Sequence, residues 1–316
     1  MINNQSETID FLANFDSTSN PSLKLLDSIS AKDLAEKTNQ QVRKVRAILK
    51  TVKNTDLGRF EVSIDTSRLS CYKGSIEIKS KHPKFNAELT KNLVEIPFVR
   101  GVHELAGDDL SHIVTFLIPN MDYFPHWIDQ NLIKRFSDKI DYLSTNTSYD
   151  LGLKSKNKGV LALDKIDLHI SGLLLQNALI TLRELSEKVG LSVAAVHKRL
   201  DHLWGEEFFE GYNCYIDWDK IHSKGAPHSF ICKIKVDYKF LDSVSSSLKF
   251  LKFIKIFRTL DKTDFLIFTS VKNIKDYQDV ARSIAEIRGV LGVRTYFITQ
   301  SLGRSKTILD FYNFSN

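Results

Sequence analysis

The chain has 316 residues, of which 42% are hydrophobic and 26% charged, a balance that is typical of folded globular domains and excludes wholesale disorder. Its 44 Lys and Arg residues against 38 Asp and Glu residues give a formal net charge of +6, a mild excess that favours an anionic partner such as nucleic acid. The 3 cysteines form no C-x-x-C pair, and the first twenty residues lack Lys and Arg, so neither a disulfide framework nor a secretory signal is expected. The sequence predicts a cytoplasmic protein without a membrane span.

A segment near the start of the chain recurs later in the sequence. Residues 29–52 align without a gap on residues 180–203 after a shift of 151 positions, with seven identical pairs and the apolar positions in phase. The spacing is far too long for a solenoid repeat, so we interpret it as a duplicated module.

The first copy begins with a short helix, and Ser30 and Asp33 form a capping box at its start. A further helix is predicted from Gln40 to about Lys53, and the alternating segment Phe60–Asp65 predicts a wing strand. The sequence then alternates between strand and helix patterns in the order βαββαβ, which is the ferredoxin-like motif. Its predicted segments are Gly74–Lys79, Phe85–Val94, Val99–Leu105, His112–Ile118, Phe124–Lys139 and Tyr142–Thr147.

The second copy shows clearer helix signals. Leu163–Leu175 places apolar residues on one helical face, and Thr181–Glu184 is a capping box that opens a short helix ending at Gly190. Ser192 then caps a helix that runs to about Trp204. Helix, tight turn and helix form the helix-turn-helix arrangement, in which the last helix reads DNA.

The rest of the second half repeats the plan of the first. Phe208–Asp217 predicts a hairpin or wing, and a second βαββαβ series follows. Its segments are Phe230–Tyr238, Phe240–Leu251, Phe253–Leu260, Asp264–Val271, Ile274–Ile287 and Val293–Thr299. The predicted fold class is α+β, with two winged helix-turn-helix domains alternating with two ferredoxin-like sandwiches. The predicted boundaries are 1–66, 67–150, a linker at 151–162, 163–222 and 223–316.

Residues 163–217 resemble the DNA-binding domain of the Lrp/AsnC (feast/famine) transcriptional regulators, through the leading Leu-Asp-Lys-Ile-Asp, the turn sequence LRELSEKVGLS and the Gly-Tyr of the wing. The βαββαβ segment that follows is similar to that family's effector and assembly domain. The resemblance implies a tandem, sequence-specific regulator that binds double-stranded DNA and is not an enzyme. Its α/β domains would either pair with each other within one chain, as a covalent pseudo-dimer, or pair with a second chain to give a dimer or higher oligomer. In this family a Gly-Asp turn binds amino-acid effectors; the first half retains Gly107, Asp108 and Asp109, and the second half has Leu260–Asp264 without glycine.

The candidate DNA contacts lie on the outward faces and flanks of the two predicted recognition helices and at the helix caps of the second copy, because Arg and Gln read base edges and Lys mainly holds phosphate. The candidates are Gln40, Gln41, Arg43, Lys44, Arg46 and Lys50 in the first copy, and Thr181, Ser192, Ala194, Ala195, His197, Lys198 and Arg199 in the second. The two faces differ in chemistry, which predicts unlike half-sites. No catalytic residue, cofactor or metal site is predicted, since no His or Cys pair has ligand spacing.

Two other interpretations remain open at the level of sequence. The siroheme decarboxylases are built on the same two-domain plan and use His and Arg residues near the sandwich, and this chain offers His228, Arg258 and Arg294 in such places. A low-specificity, chromatin-like DNA binder would have the same basic helices without sequence preference.

Overall fold

The computed structural model describes residues 8, 11–12, 29–55, 58–150, 159–216, 228–251, 255–259, 263–271, 273–303, 308 and 310–311. The predicted linker falls outside these residues over positions 151–158. Among the described residues, no helix has the length and apolar character needed to cross a bilayer.

Helices and strands follow the order predicted from the periodicity. The helices are α1 (Ala31–Thr38), α2 (Val42–Asn54), α3 (Asn86–Val94), α4 (Phe124–Ile128), α5 (Lys134–Phe136), α6 (Lys165–Gln176), α7 (Leu182–Val189), α8 (Val193–Gly205), α9 (Leu241–Phe250) and α10 (Ile274–Ala285), with a π-helical turn, Asp129–Ile133, joining α4 to α5. The strands are β1 (Gly58–Ile64), β2 (Tyr72–Ser80), β3 (Val99–Ala106), β4 (His112–Ile118), β5 (Ile140–Asp150), β6 (Phe209–Ile216), β7 (His228–Val236), β8 (Lys255–Thr259), β9 (Phe265–Val271) and β10 (Val290–Gly303).

The chain divides into two compact units, and each unit takes segments from both halves of the sequence. The winged-helix unit comprises Met1–Leu69, Val160–Ala226 and Tyr312–Asn316, and the barrel unit comprises Ser70–Gly159 and Pro227–Phe311. The mixed α+β class is as predicted. The segments predicted as four domains associate into two composite units, because strands from one half pair with strands of the other.

Local signals set the helix-turn-helix segments of the winged-helix unit. The Ser192 hydroxyl caps α8 by accepting a hydrogen bond from the Ala195 N–H at 3.2 Å, and Thr181 and Glu184 form the predicted capping box of α7. Gly190 ends α7 in the left-handed region at φ 69°. Asn39 takes the equivalent position after α1 at φ 52°, a conformation that asparagine tolerates better than most residues.

The wing strands of the two copies pair with each other. β1 and β6 form a two-stranded antiparallel sheet that runs from the Gly58–Ile216 pair to the Ile64–Phe209 pair, so β6 does not fold back as the hairpin that the sequence suggested. Phe60 lies opposite Cys214, and both side chains are fully buried. A two-stranded ribbon is marginal without a packed face, and these side chains supply that face by joining the core of the first copy.

The barrel unit is a closed eight-stranded sheet in the order β10-β3-β4-β2-β5-β8-β9-β7. Within each half the first strand lies between the third and the fourth, and the second strand lies outside the third, which is the ferredoxin-like order. The halves join reciprocally, because β3 pairs with β10 and β5 pairs with β8. Helices pack on each half-sheet, as shown by the contact of Val244 and Leu248 of α9 with the buried residues of β7.

The same hydrogen bonds recur at equivalent places in the two halves. In the first half the Ser111 N–H donates to the Ile78 carbonyl at 2.9 Å, and the Ser111 hydroxyl accepts from the Ser80 N–H at 2.8 Å. In the second half the Asp264 N–H donates to the Ile234 carbonyl at 2.9 Å, and its carboxylate accepts from the Val236 N–H at 2.8 Å. Ile78 and Ile234 are therefore structurally equivalent.

Candidate nucleic-acid interface

The outward face of α2 is strongly basic. Val45, Ile48 and Val52 are buried in the core of the first copy, which turns the opposite side of the helix to solvent. On that side, Arg43, Arg46, Ala47 and Lys50 are exposed, as are the predicted contacts Gln41 and Lys44. Within the described part of the chain, no ion pair engages Arg43, Arg46 or Lys50. Three cations on one helical face, at spacings of three and four residues, suit phosphate and guanine contacts.

Gln40 differs from its neighbours among the predicted contacts. It precedes the N-cap of α2, is half-buried, and its Oε1 atom is buried without a hydrogen-bond partner among the described residues. Its acceptor oxygen is therefore turned into the domain, which leaves the exposed Gln41 as the better-placed amide at this end of the helix.

The outward face of α8 is small and nearly neutral. In the alignment with a shift of 151 positions, α8 has Ala194, His197 and Asp201 at the positions where α2 has Arg43, Arg46 and Lys50. His197 Nδ1 lies 2.8 Å from Asp201 Oδ2, so these two side chains pair with each other. Ala194 and Lys198 are exposed, Ala195 is half-buried, and the first residue of the helix, Val193, is 45% exposed.

Val193 is a surface feature that sequence reasoning missed. An exposed apolar residue directly after an N-cap serine was available as a signal, and the N-terminal residues of a recognition helix are those that reach base edges. Together with Ala194 it forms a small apolar surface of the kind that contacts thymine methyl groups.

Arg199 is engaged within its own domain. Its Nη1 donates to Asp164 Oδ2 and to Asp167 Oδ1, both at 2.7 Å, and Asp167 is buried. Asp164 caps α6, so the arginine ties the reading helix to the start of the first helix of its module. Because two carboxylates hold the guanidinium, Arg199 serves to position α8.

Thr181 and Ser192 act first as helix caps. The Thr181 N–H donates to Glu184 Oε2 at 2.7 Å. The hydrogen bonds that Glu184 accepts from Thr181 and from Lys53 lower its pKa to about 2. Lys53, at the end of α2, lies 3.1 Å from Glu184 Oε1 and so links the first copy to the second. Helix N-termini of this kind also present free N–H groups to phosphate.

The predicted effector turn lies between β3 and β4 and contacts the second half. Asp109 Oδ2 accepts hydrogen bonds from Arg294 Nη1 at 2.8 Å and from the Tyr296 hydroxyl at 2.9 Å, and both Asp108 and Asp109 are exposed. Burial raises the pKa of Tyr296 to about 12, so its hydroxyl is a donor at neutral pH. Gly107 and Asp109 therefore belong to a junction between the two halves of the barrel unit.

The residues considered for tetrapyrrole chemistry are spread over the barrel unit. His228 is exposed at the start of β7, Arg258 is half-buried on β8, and Arg294 pairs with Asp109. Among the described residues, no hydrogen bond or ion pair joins any two of these three side chains.

Comparison with known proteins identifies one segment of the chain. Residues 163–208 match the family model of the winged helix-turn-helix DNA-binding domain. The Bkd operon transcriptional regulator of Pseudomonas aeruginosa is 26% identical over 147 residues, which cover 44% of this chain and 93% of that protein. The winged helix-turn-helix predicted for the second half is therefore confirmed over residues 163–208, and these two matches support the resemblance to Lrp/AsnC regulators.

Some solved structures match nearly the whole chain, and others match less than half of it. The crystal structure of the siroheme decarboxylase NirDL covers 98% of both chains with a TM-score of 0.58 at 11% identity. The same enzyme with an iron-uroporphyrin III analogue gives a TM-score of 0.59 at 12% identity, over 98% of this chain and 97% of that chain. Escherichia coli AsnC covers 44% of this chain and 94% of that chain at 20% identity, with a TM-score of 0.39.

The whole-chain comparison corrects one prediction. The expectation that the chain is not an enzyme is wrong on this finding, because the fold shared over the full length belongs to a siroheme decarboxylase. At 11 to 12% identity the likeness concerns the fold.

Proposed function

We propose that the chain is a sequence-specific DNA-binding transcriptional regulator of the Lrp/AsnC type, in which one cytoplasmic chain carries both recognition helices. The observation that carries the proposal is the composition of the winged-helix unit. This one compact unit contains both α2 and α8, and strand β1 of the first copy pairs with strand β6 of the second copy within it. A regulator built from two chains needs a dimer to present two reading helices; here one chain supplies both.

The two helices have different tasks in this proposal. α2 presents Arg43, Arg46 and Lys50, which bind phosphates and guanine edges and supply most of the electrostatic affinity. α8 presents Val193 and Ala194, whose small apolar surfaces admit the helix deep into the major groove and contact thymine methyl groups. The operator should therefore consist of two unlike half-sites.

The proposal includes a tandem duplication. It is supported by the aligned segments 29–52 and 180–203, by the identical strand order of the two half-sheets, and by the recurring hydrogen bonds of Ser111 and Asp264. The first observation comes from the winged-helix unit and the other two from the barrel unit, and all three relate the same two halves.

An amino-acid effector at Gly107–Asp109 would bind beside existing contacts. Arg294 and Tyr296 both donate to Oδ2 of the Asp109 carboxylate, which is the group that would receive an amino group. If an amino acid binds at this turn, it should raise the thermal unfolding midpoint of the full chain, because it binds the folded state only. The midpoint is measured with each amino acid in turn.

Sequence-specific binding can be tested with the full-length protein and fragmented genomic DNA. Fragments retained at two salt concentrations are sequenced, first with the native chain and then with Ala194→Glu, which places a carboxylate on the reading face of α8. The matched control is Ala87→Glu, at an exposed helical position in the barrel unit.

We expect a short shared motif with two unlike halves that persists at the higher salt, is lost with Ala194→Glu, and is retained with Ala87→Glu. Uniform binding that disappears with salt would indicate a chromatin-like coating role and contradict the proposal. Absence of binding at both salt concentrations would also contradict it.

A second candidate function follows from the whole-chain fold. The likeness to a siroheme decarboxylase over 98% of the chain favours decarboxylation of a carboxylated tetrapyrrole in the barrel unit, with Arg258 and Arg294 as partners for propionate or acetate groups. Incubation of the purified protein with siroheme under anaerobic conditions, followed by mass spectrometry, tests this function. Loss of carbon dioxide that Arg294→Ala reduces would support it, and unchanged substrate would refute it.

A further inference from the structure

A buried ion pair joins the two halves of the barrel unit. The carboxylate of Glu77 on β2 contacts the ammonium group of Lys233 on β7, and the two side chains are 9% and 13% exposed. Asn146 of β5, itself 2% exposed, donates from Nδ2 to Glu77 Oε1 at 3.3 Å. A charged pair so far removed from water is costly unless its geometry is maintained.

Glu77 and Lys233 occupy equivalent positions in the two halves. Each directly precedes the isoleucine, Ile78 or Ile234, whose carbonyl accepts the recurring hydrogen bond at 2.9 Å. β2 and β7 are also the first strands of their half-sheets and hold the same place in the strand order. Two equivalent residues that touch each other lie on the approximate two-fold axis that relates the halves.

A symmetric pairing of identical halves would bring identical residues together at this axis. Two first halves from separate chains would bury Glu77 against Glu77, and two second halves would bury Lys233 against Lys233. Like charges at a buried contact are strongly unfavourable, whereas the native contact is between opposite charges. We infer that the Glu77–Lys233 pair makes each α/β half select the other half as its partner and reject a second copy of itself.

Other charged residues of the barrel unit are divided between the halves in the same way, with more acid in the first half and more base in the second. At the rim of the barrel the first half again supplies the acid and the second half the base, in the Asp109–Arg294 pair at 2.8 Å. Over residues 70–150 the chain has 9 Lys and Arg against 11 Asp and Glu, and over residues 227–311 it has 15 against 8. An acidic half and a basic half attract each other, and two basic halves repel.

Charge reversal in the full-length chain tests the inference. The variants are Glu77→Lys, Lys233→Glu and the double reversal, compared by urea unfolding. We expect each single variant to lower the folding equilibrium constant by at least about a hundredfold, since it buries two like charges, and the double reversal to recover most of the loss. The control is Lys79→Glu, on the same strand, where the lysine is 42% exposed and 3.8 Å from Asp141; we expect a change below about tenfold.

Mixing the two single variants gives a second and independent readout. When Glu77→Lys and Lys233→Glu chains are unfolded together and refolded, each half of one chain meets an oppositely charged half only in the other chain. We expect a one-to-one complex of twice the monomer mass by light scattering, and none from either variant alone. A native-like stability of Glu77→Lys, a double reversal as unstable as the singles, or a mixture that gives no such complex would each overturn the inference.

Discussion

Neutralising the outward face of α2 should change how DNA binding depends on salt. The change is Arg43→Gln, Arg46→Gln and Lys50→Gln together, which removes three exposed cations and leaves the buried side of the helix intact. Each phosphate contact on duplex DNA contributes about −0.9 to the slope of log affinity against log salt, so three contacts contribute about −2.7. Between about 50 and 200 mM salt, the native chain should then lose roughly fortyfold more affinity than the variant.

The assay is fluorescence anisotropy with a labelled duplex at a series of salt concentrations. The matched control removes the same charge from exposed sites in the barrel unit through Lys91→Gln, Arg135→Gln and Lys249→Gln. We expect the control to change the slope by less than about one unit, because those residues neutralise no phosphate. Equal slopes for the α2 variant and the native chain would refute the assignment of α2 to the DNA surface, and an equally large effect of the control would show that only total charge matters.

Three further predictions concern stability. Gly74→Ala should destabilise the barrel unit by at least about 2 kcal/mol in urea unfolding, because a Cβ there would lie 2.3 Å from Cζ of the buried Phe116. Burial lowers the pKa of His112 below its ordinary value of 6.5, so the unfolded chain takes up the proton at a higher pH than the folded chain does. The free energy of unfolding should therefore fall as the pH drops below 6.5, by at most about 1.4 kcal/mol per pH unit. His112→Gln should flatten this dependence, and the control His126→Gln, at an exposed position, should not. Thr181→Ala should lower the thermal midpoint through loss of an N-cap contribution of about 1 kcal/mol, and an unchanged midpoint would contradict the role of the capping box.

Signals that act within a few residues were readable from the sequence. Thr181, Gly190 and Ser192 mark the ends of α7 and α8 because each satisfies, or conformationally permits, a hydrogen bond of its own helix terminus. The buried face of α2 was also predictable, since the 3.6-residue period alone separates Val45 from Lys50. The order of strands and helices in each half followed from the same local patterns.

Pairing between distant segments was not readable in this way. The sequence of β6 predicts a strand but does not indicate which strand it pairs with, and a local hairpin was the prediction. In the structure β6 pairs with β1, and Cys214 lies opposite Phe60. Arg199 had the periodicity of a surface residue, but its partner Asp167 lies 32 positions earlier in the chain. Such contacts depend on which surfaces meet after the elements form, and one sequence carries no direct record of that choice.

Under the proposed duplication, covalent fusion of the two copies allows their contact surfaces to vary independently. In a symmetric dimer every substitution occurs on both sides of the two-fold axis, so a residue that meets its own copy there cannot acquire an opposite charge. In one chain the two positions vary separately, and the structure has glutamate at residue 77 and lysine at residue 233. The two proposed recognition helices differ in the same way, with Arg43 and Lys50 on α2 at the positions where α8 has Ala194 and Asp201. The proposed operator with unlike half-sites requires one of each helix in every bound molecule, and a single chain that carries both α2 and α8 meets that requirement.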